Sequence, residues 1–312
     1  MPRMAKPIKA ILAAVAVCGV IGVGSYFLFL RDSGDAGPGG ASSQSELKRR
    51  PNTPHKVEDW ERHPEVENLA LVLDEKADYG QRLKAIEKID NDLRPKLVQD
   101  IVKTLKNPAV DETIRNDLLD KLESQTKPLG TLGPLLVEMY GNPEDTWKWK
   151  NYCLQHAVPV WKIEPDHRKD LVDFLFKVME EEKGEAKDSA VMSETAMLSL
   201  SKIGASDPEV AARVAKAASA RVADKTKDPE RAVTAMHVAA GAGDASILPE
   251  ARKTAADVKA LARLRMSSIA AIGQLGGQED VALLEKLAAG PDGRVTACAK
   301  LNLDALKSRL AK

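Results

Sequence analysis

The side chains with the clearest capacity for chemistry lie together near the middle of the chain. Cys153 and His156 are three positions apart, and His167 follows shortly after them. Thiolate and imidazole groups are zinc ligands, and residues three positions apart share one face of a helix. A fourth ligand is not evident in the sequence. We therefore interpret these residues as an incomplete pattern, and predict no metal and no other cofactor.

The remaining groups of chemical interest have simpler interpretations. His55 and His63 lie in or beside a polar stretch, and His237 shares a helical face with apolar residues, as a packed core histidine does. The glutamates at positions 180–182 lack the ordered carboxylate spacing of a calcium loop. The sequence contains no G-x-S-x-G, P-loop or H-E-x-x-H motif. We therefore predict no catalytic residues and expect that the chain is not an enzyme.

Aromatic side chains outside the N-terminal region gather between positions 147 and 176. Trp147 and Trp149 are two positions apart, which is about 200° around a helix, so both cannot face one core. An exposed tryptophan is a frequent hot spot of protein interfaces, whereas a longer, irregular repeat can also need bulky residues to fill its interior. Trp147 and Trp149 are accordingly the candidate protein-binding residues.

The N-terminal region predicts a membrane anchor. Residues 8–30 form an apolar run whose single charge, Lys9, lies at its edge. A membrane-spanning helix needs about 20 apolar residues, whereas the apolar part of a cleaved signal has only about 7–15. Arg3, Lys6 and Lys9 precede or begin this run, so residues 1–7 are predicted to stay in the cytoplasm. The sequence thus predicts a single-pass protein of the inner (plasma) membrane, with its C-terminal domain periplasmic or extracellular.

The spacing of small residues in the predicted membrane-spanning helix suggests that two copies of this helix can pair. The small residues recur every four positions, at Ala10, Ala14, Cys18 and Gly22. Such a stripe can bring two membrane helices together as a homodimer, although small residues are also common in membrane helices generally. Residues 31–58, rich in glycine, serine, proline and charge, are predicted to form a flexible linker.

Residues 59–312 predict a succession of amphipathic helices. Apolar residues recur with the helical period, and no stretch alternates as a strand does between turn residues. An Asn or Asp followed by Pro, which suits a helix start, occurs at positions 107–108, 142–143, 207–208 and 228–229. Equivalent helix ends recur at intervals of roughly 31 to 47 residues, as in an α-solenoid of helix pairs.

The C-terminal part also resembles a known repeat family. Residues 265–306 read RMSSIAAIGQLGGQEDVALLEKLAAGPDGRVTACAKLNLDAL, and residues 192–214 read MSETAMLSLSKIGASDPEVAARV. A small-residue helix that closes with Ile-Gly or Leu-Gly, an acidic turn and a V-x-x-L-x-x-L helix resemble HEAT repeats. The resemblance implies an all-α fold, a right-handed α-solenoid of about six to seven helix pairs over residues 59–312. It also implies an extended surface that binds proteins.

The net charge of the chain bears on which class of macromolecule it binds. Lys plus Arg and Asp plus Glu each number 46, so the net charge is zero and a nucleic-acid partner is not expected. We predict a membrane-anchored HEAT-repeat scaffold or adaptor that binds other proteins on the non-cytoplasmic side. The alternatives are a structural subunit of a larger envelope complex and an enzyme-accessory subunit.

Overall fold

The computed structural model describes residues 64–181, 187–224 and 229–312. This part of the chain is built from α-helices and short 3-10 turns, with no strand among the described residues. Its fourteen helices, numbered in chain order, are α1 Pro64–Leu73, α2 Tyr79–Glu87, α3 Pro95–Leu105, α4 Glu112–Glu123, α5 Leu132–Gly141, α6 Trp147–Ile163, α7 Arg168–Glu181, α8 Lys187–Gly204, α9 Pro208–Ala223, α10 Pro229–Gly241, α11 Leu248–Ala256, α12 Ala262–Leu275, α13 Val281–Ala288 and α14 Gly293–Leu310.

Consecutive helices pack as pairs, and the pairs stack in two layers. Each even-numbered helix packs against its odd-numbered partner and against the next even-numbered helix along the chain. The odd-numbered helices contact one another much less. A continuous apolar core runs from Leu69 in α1 to Leu306 in α14. The predicted all-α stack of about six to seven pairs is thus found as seven pairs in the described residues, and its handedness stays a prediction.

An arginine recurs near the start of several even-numbered helices, half-buried in α2 and buried in α4 and α12, and ties each helix to its partner helix. Arg82, Arg115 and Arg265 each donate from Nε to the carbonyl oxygen ten residues earlier, at the end of the preceding helix. These last-turn carbonyls have no partner within their own helix, so the guanidinium satisfies them. Arg115 and Arg265 also reach forward to Asp145 and Asp292, which stand before α6 and α14. The side chains of Arg115 and Arg265 therefore link one helix pair to the next.

The helix starts partly follow the predicted Asn-Pro and Asp-Pro signals. Asp207 caps α9 by accepting from the backbone N–H groups of Glu209 and Val210, and Pro229 begins α10. The predictions at positions 107–108 and 142–143 were wrong. The side-chain oxygens of Asn107 and Asn142 accept from N–H groups two residues on and form turns instead. Helices α4 and α6 begin later, capped by Asp111 and Thr146.

The predicted N-terminal segments lie outside the described residues. This applies to residues 1–7, to the apolar run 8–30, to the linker 31–58 and to the first positions of the predicted repeat domain. Among the helices of residues 64–312 that the structure describes, none combines the length and the apolar character needed to cross a membrane.

Candidate protein-binding face and histidine–carboxylate cluster

The two candidate tryptophans have different environments. Trp149 is completely buried, and the guanidinium carbon of Arg115 lies 3.9 Å from the centroid of its ring. The indole therefore belongs to the core of the stack, and its selection as a binding residue is corrected. Trp147, the first residue of α6, is half-buried. Because positions 147 and 149 point about 200° apart on a helix, only one of them can enter the same core. Trp147 remains the candidate protein-binding residue.

A second aromatic feature of the same region is a face built by α2, α4 and α6, which we define by Tyr79, Glu112, Asp117 and Tyr152. Tyr79 is 44% exposed, and the other three side chains are half-buried. Burial raises the pKa of the Tyr152 hydroxyl, and the negative charges of Glu112 and Asp117 raise it further. Glu112 also accepts a hydrogen bond from the hydroxyl of Thr146, the capping residue of α6, which joins the start of α4 to the helix that bears Tyr152. We call this group the tyrosine–carboxylate face.

Helix α4 presents carboxylates because its own basic residues point elsewhere. Arg115 is buried in its ion pair with Asp145, with 2.6 Å between Nη1 and Oδ1. The ammonium of Lys121 donates to the carbonyl oxygens of Glu87 and Ile89, at the end of α2. Asp117, Asp120 and Glu123 recur at spacings of three, so one side of α4 is rich in carboxylates although the whole chain is neutral. Lys121 lies beside Asp117 on the helix, but its ammonium is engaged with the carbonyl oxygens at the end of α2.

A histidine–carboxylate cluster continues this acidic side toward the end of α4. His156 of α6 places Nδ1 2.7 Å from Oε1 of Glu123 and 3.8 Å from Oδ1 of Asp120. Its Nε2 lies 3.0 Å from Oδ1 of Asn116. Burial raises the pKa of Glu123, and the hydrogen bond and the charge interaction with His156 partly offset that effect. His156, Glu123 and Asp120 offer ligand atoms that all lie within 4.8 Å of one another.

The structure separates the three residues that sequence spacing had grouped. Cys153 is buried among apolar residues, and burial raises the pKa of its thiol to about 12, so it is held as a neutral thiol. His167 turns toward the start of α5, where its Nε2 donates to the carbonyl oxygen of Gly130 at 3.0 Å. Only His156 joins a cluster of ligating groups. The carboxylates that His156 meets come from a different helix, α4, and were not part of the sequence grouping.

The opening of α5 is satisfied within the protein. Glu164, which is buried, accepts hydrogen bonds from the backbone N–H groups of Thr131, Leu132 and Gly133, at 2.9 to 3.0 Å. A carboxylate here satisfies the unpaired N–H groups of the helix start and complements its positive dipole end. The N-terminus of α5 is therefore capped by a side chain from the connection between α6 and α7.

The described part of the chain thus belongs to the class of all-α proteins built from stacked helix pairs. No known protein family matches the sequence, and no curated protein matches it. Among solved structures, it is similar to human deoxyhypusine hydroxylase in complex with glycerol, at 15% sequence identity and a TM-score of 0.33. The match covers 78% of this chain and 97% of that chain.

This comparison corrects the prediction that the chain is not an enzyme, because the similar structure is that of an enzyme. Helix pairs stacked in this way do not exclude catalysis. At this identity and TM-score the likeness does not assign an activity, and the chain's function has to be argued from its own surfaces.

Proposed function

We propose that the chain is a protein-binding scaffold of HEAT-like repeats, tethered to a membrane by residues 8–30 and the linker 31–58. The repeat domain would stand on the non-cytoplasmic side. The charge order around residues 8–30 supports that orientation, and the stack of helix pairs supports the repeat class. A tethered stack offers a long surface to partners while the linker lets it reorient.

The packing of the two layers suggests which side binds. The even-numbered helices pack more closely on one another than the odd-numbered helices do. In a curved stack, the layer on the inner side of the curve has the closer spacing. Repeat stacks commonly bind their partners on this inner side. We therefore place the binding surface on the layer that contains α2, α4 and α6.

The observation that carries the proposal is the tyrosine–carboxylate face itself. Tyrosine combines a large apolar ring with a hydroxyl, and it is enriched among residues that dominate binding energy. Glu112 and Asp117 add negative charge beside Tyr152. Complementary charge steers association and selects partners. The partner that fits this face presents basic residues around an apolar patch.

A site-specific crosslinking experiment tests this assignment in the native cell. A photoreactive amino acid is placed at position 79, on the face, in the full-length chain. The matched control carries it at position 258, where Val258 is 79% exposed in a connection far along the sequence. A defined protein adduct at position 79, absent at position 258, is the expected result. Equal adducts at both positions, or none at position 79, would contradict the assignment.

A further inference from the structure

The cluster around His156 is arranged about the two nitrogens of its imidazole ring. Nε2 faces the side-chain oxygen of Asn116, and Nδ1 faces the carboxylate of Glu123. The amide orientation of Asn116 is supported by its Nδ2, which donates to Asp117 at 3.3 Å. With Nε2 directed at Asn116, Nδ1 is the ring nitrogen that faces the carboxylates of Glu123 and Asp120.

The arrangement favours a metal ion in three respects. A metal-ligating histidine typically donates its other N–H to an oxygen that fixes the ring, and Asn116 provides such an oxygen. A second carboxylate, that of Asp120, also faces Nδ1 at 3.8 Å. Both helices that supply the groups are held by the core, so the ligands are positioned in advance.

The distances suit a small divalent ion. Ligand atoms about 2.0–2.1 Å from a tetrahedral zinc ion are roughly 3.3 Å apart. The Nδ1 atom of His156 lies 2.7 Å from Glu123 and 3.8 Å from Asp120, on either side of that separation. The three ligand atoms lie within 4.8 Å of one another, and closing them around one ion requires the two carboxylates, of which Asp120 is exposed, to move.

The three side chains of the cluster differ in solvent exposure, and the side of the cluster at Asp120 is open to solvent. The side chains of His156 and Glu123 are 8% and 10% exposed, whereas that of Asp120 is 62% exposed. An ion can enter past Asp120, and water can complete its coordination there. The nearby ammonium of Lys121 is engaged with carbonyl oxygens of α2 and does not occupy the cluster.

We propose that His156, Glu123 and Asp120 form a binding site for a divalent transition-metal ion of the zinc type, with Asn116 as the positioning residue for the imidazole. Nδ1 and one oxygen of each carboxylate are the three protein ligands, and the fourth position is open to water. Three protein ligands with one open position can support either catalysis or the recruitment of an external ligand. This inference can fail independently of the protein-binding proposal, because none of the three proposed ligands is among the four residues that define the tyrosine–carboxylate face.

The test is zinc binding by the full-length chain, purified in detergent, stripped of metal and titrated with Zn²⁺. We expect one saturable site. Asp120→Asn, Glu123→Gln and His156→Gln should each weaken binding at least about 10-fold, and Asn116→Ala should weaken it by about 10-fold. His167→Gln is the matched control, because His167 lies outside the cluster, and it should bind zinc as the parent chain does. Asp120→Asn keeps the test decisive if a buried variant fails to fold.

Cobalt binding supplies a second readout. Co²⁺ at a site with nitrogen and oxygen ligands gives visible d–d absorption, which should appear with the parent chain and with His167→Gln, and be lost with Glu123→Gln. A parent chain that binds no zinc would overturn the proposal. Equal affinity in the parent chain, Asp120→Asn and His156→Gln would also overturn it, because the metal would then bind elsewhere.

Discussion

Arg115 and Asp145 form a buried ion pair between successive repeats, with Nη1 and Oδ1 2.6 Å apart and both side chains at most 1% exposed. The same guanidinium donates to the carbonyl oxygen of Leu105 and lies over the ring of Trp149. One side chain therefore joins α3, α4 and α6. Removing either charge leaves the other buried without its partner.

We predict that Asp145→Ala lowers the free energy of unfolding by about 3–5 kcal/mol, because it strands the Arg115 guanidinium in the core. Urea unfolding followed by circular dichroism measures this change. Arg263→Ala is the control, since Arg263 and its partner Glu230 are 58% and 46% exposed. An exposed pair contributes less than about 1 kcal/mol. Equal losses in the two variants would show that the buried pair has no special role.

The tryptophans provide the second prediction. Trp149→Ala should destabilise the fold by about 3–5 kcal/mol, because it empties a fully buried site beside Arg115. Trp147→Ala should leave the melting temperature nearly unchanged and weaken partner capture instead. Thermal unfolding and crosslinked yield are the two measurements. A Trp147→Ala chain that folds normally and keeps every partner would end the candidacy of Trp147.

The acid dependence of stability provides the third prediction. Hydrogen bonds from Arg252 hold the pKa of the buried Asp280 carboxyl below its ordinary value of 3.8. Because the folded pKa lies below the unfolded one, the ionised form stabilises the folded protein at neutral pH. This contribution is lost as the pH falls below about 3.8 and through the folded pKa.

Asp280→Asn should therefore lower the free energy of unfolding at pH 7 by about 1–2 kcal/mol, and the deficit should shrink toward pH 3. Denaturant titrations at several pH values measure it. Glu279→Gln is the control, because Glu279 also contacts Arg252 but is 68% exposed. A pH-independent deficit in Asp280→Asn would contradict the electrostatic explanation.

Close packing between α12 and α14 provides the fourth prediction. A Cβ atom on Gly273 would stand 2.7 Å from Cβ of Asn302, well inside van der Waals contact. Gly273→Ala should cost about 1–3 kcal/mol through overpacking, even though alanine is the better helix former. At Gly293 an added Cβ meets nothing within 4 Å, so Gly293→Ala should be neutral or slightly stabilising. Thermal unfolding of both variants checks the contrast.

The sequence predicted the helical class and the approximate repeat length because both depend on local patterns. Apolar spacing such as Ile114, Leu118 and Leu122 is a property of one helix, and the structure buries all three. Helix starts were harder to predict. Asn107 and Asn142 stand before proline as capping residues do, yet each closes a turn of its own. The choice between turn and cap depends on where the next helix can pack.

The candidate site could not be predicted from local spacing, because its residues come from successive repeats. Glu123 and His156 are 33 positions apart and meet on neighbouring even-numbered helices. The same separation joins Arg263 to Glu230 and Ser124 to Asn91. Residues one repeat period apart therefore face each other, and pairing His156 with the acidic residue one period earlier would have indicated the cluster. The grouping with Cys153 and His167 failed because it considered neighbours in sequence alone.

The central claim is that the repeat domain binds protein, and affinity purification after crosslinking in the native cell tests it most directly. The full-length chain is compared with a chain that ends at residue 58 and so keeps the predicted anchor and linker. We predict a defined set of proteins that is enriched only with the full-length chain. Recovery of the same proteins with both chains, or of none with either, would contradict the scaffold.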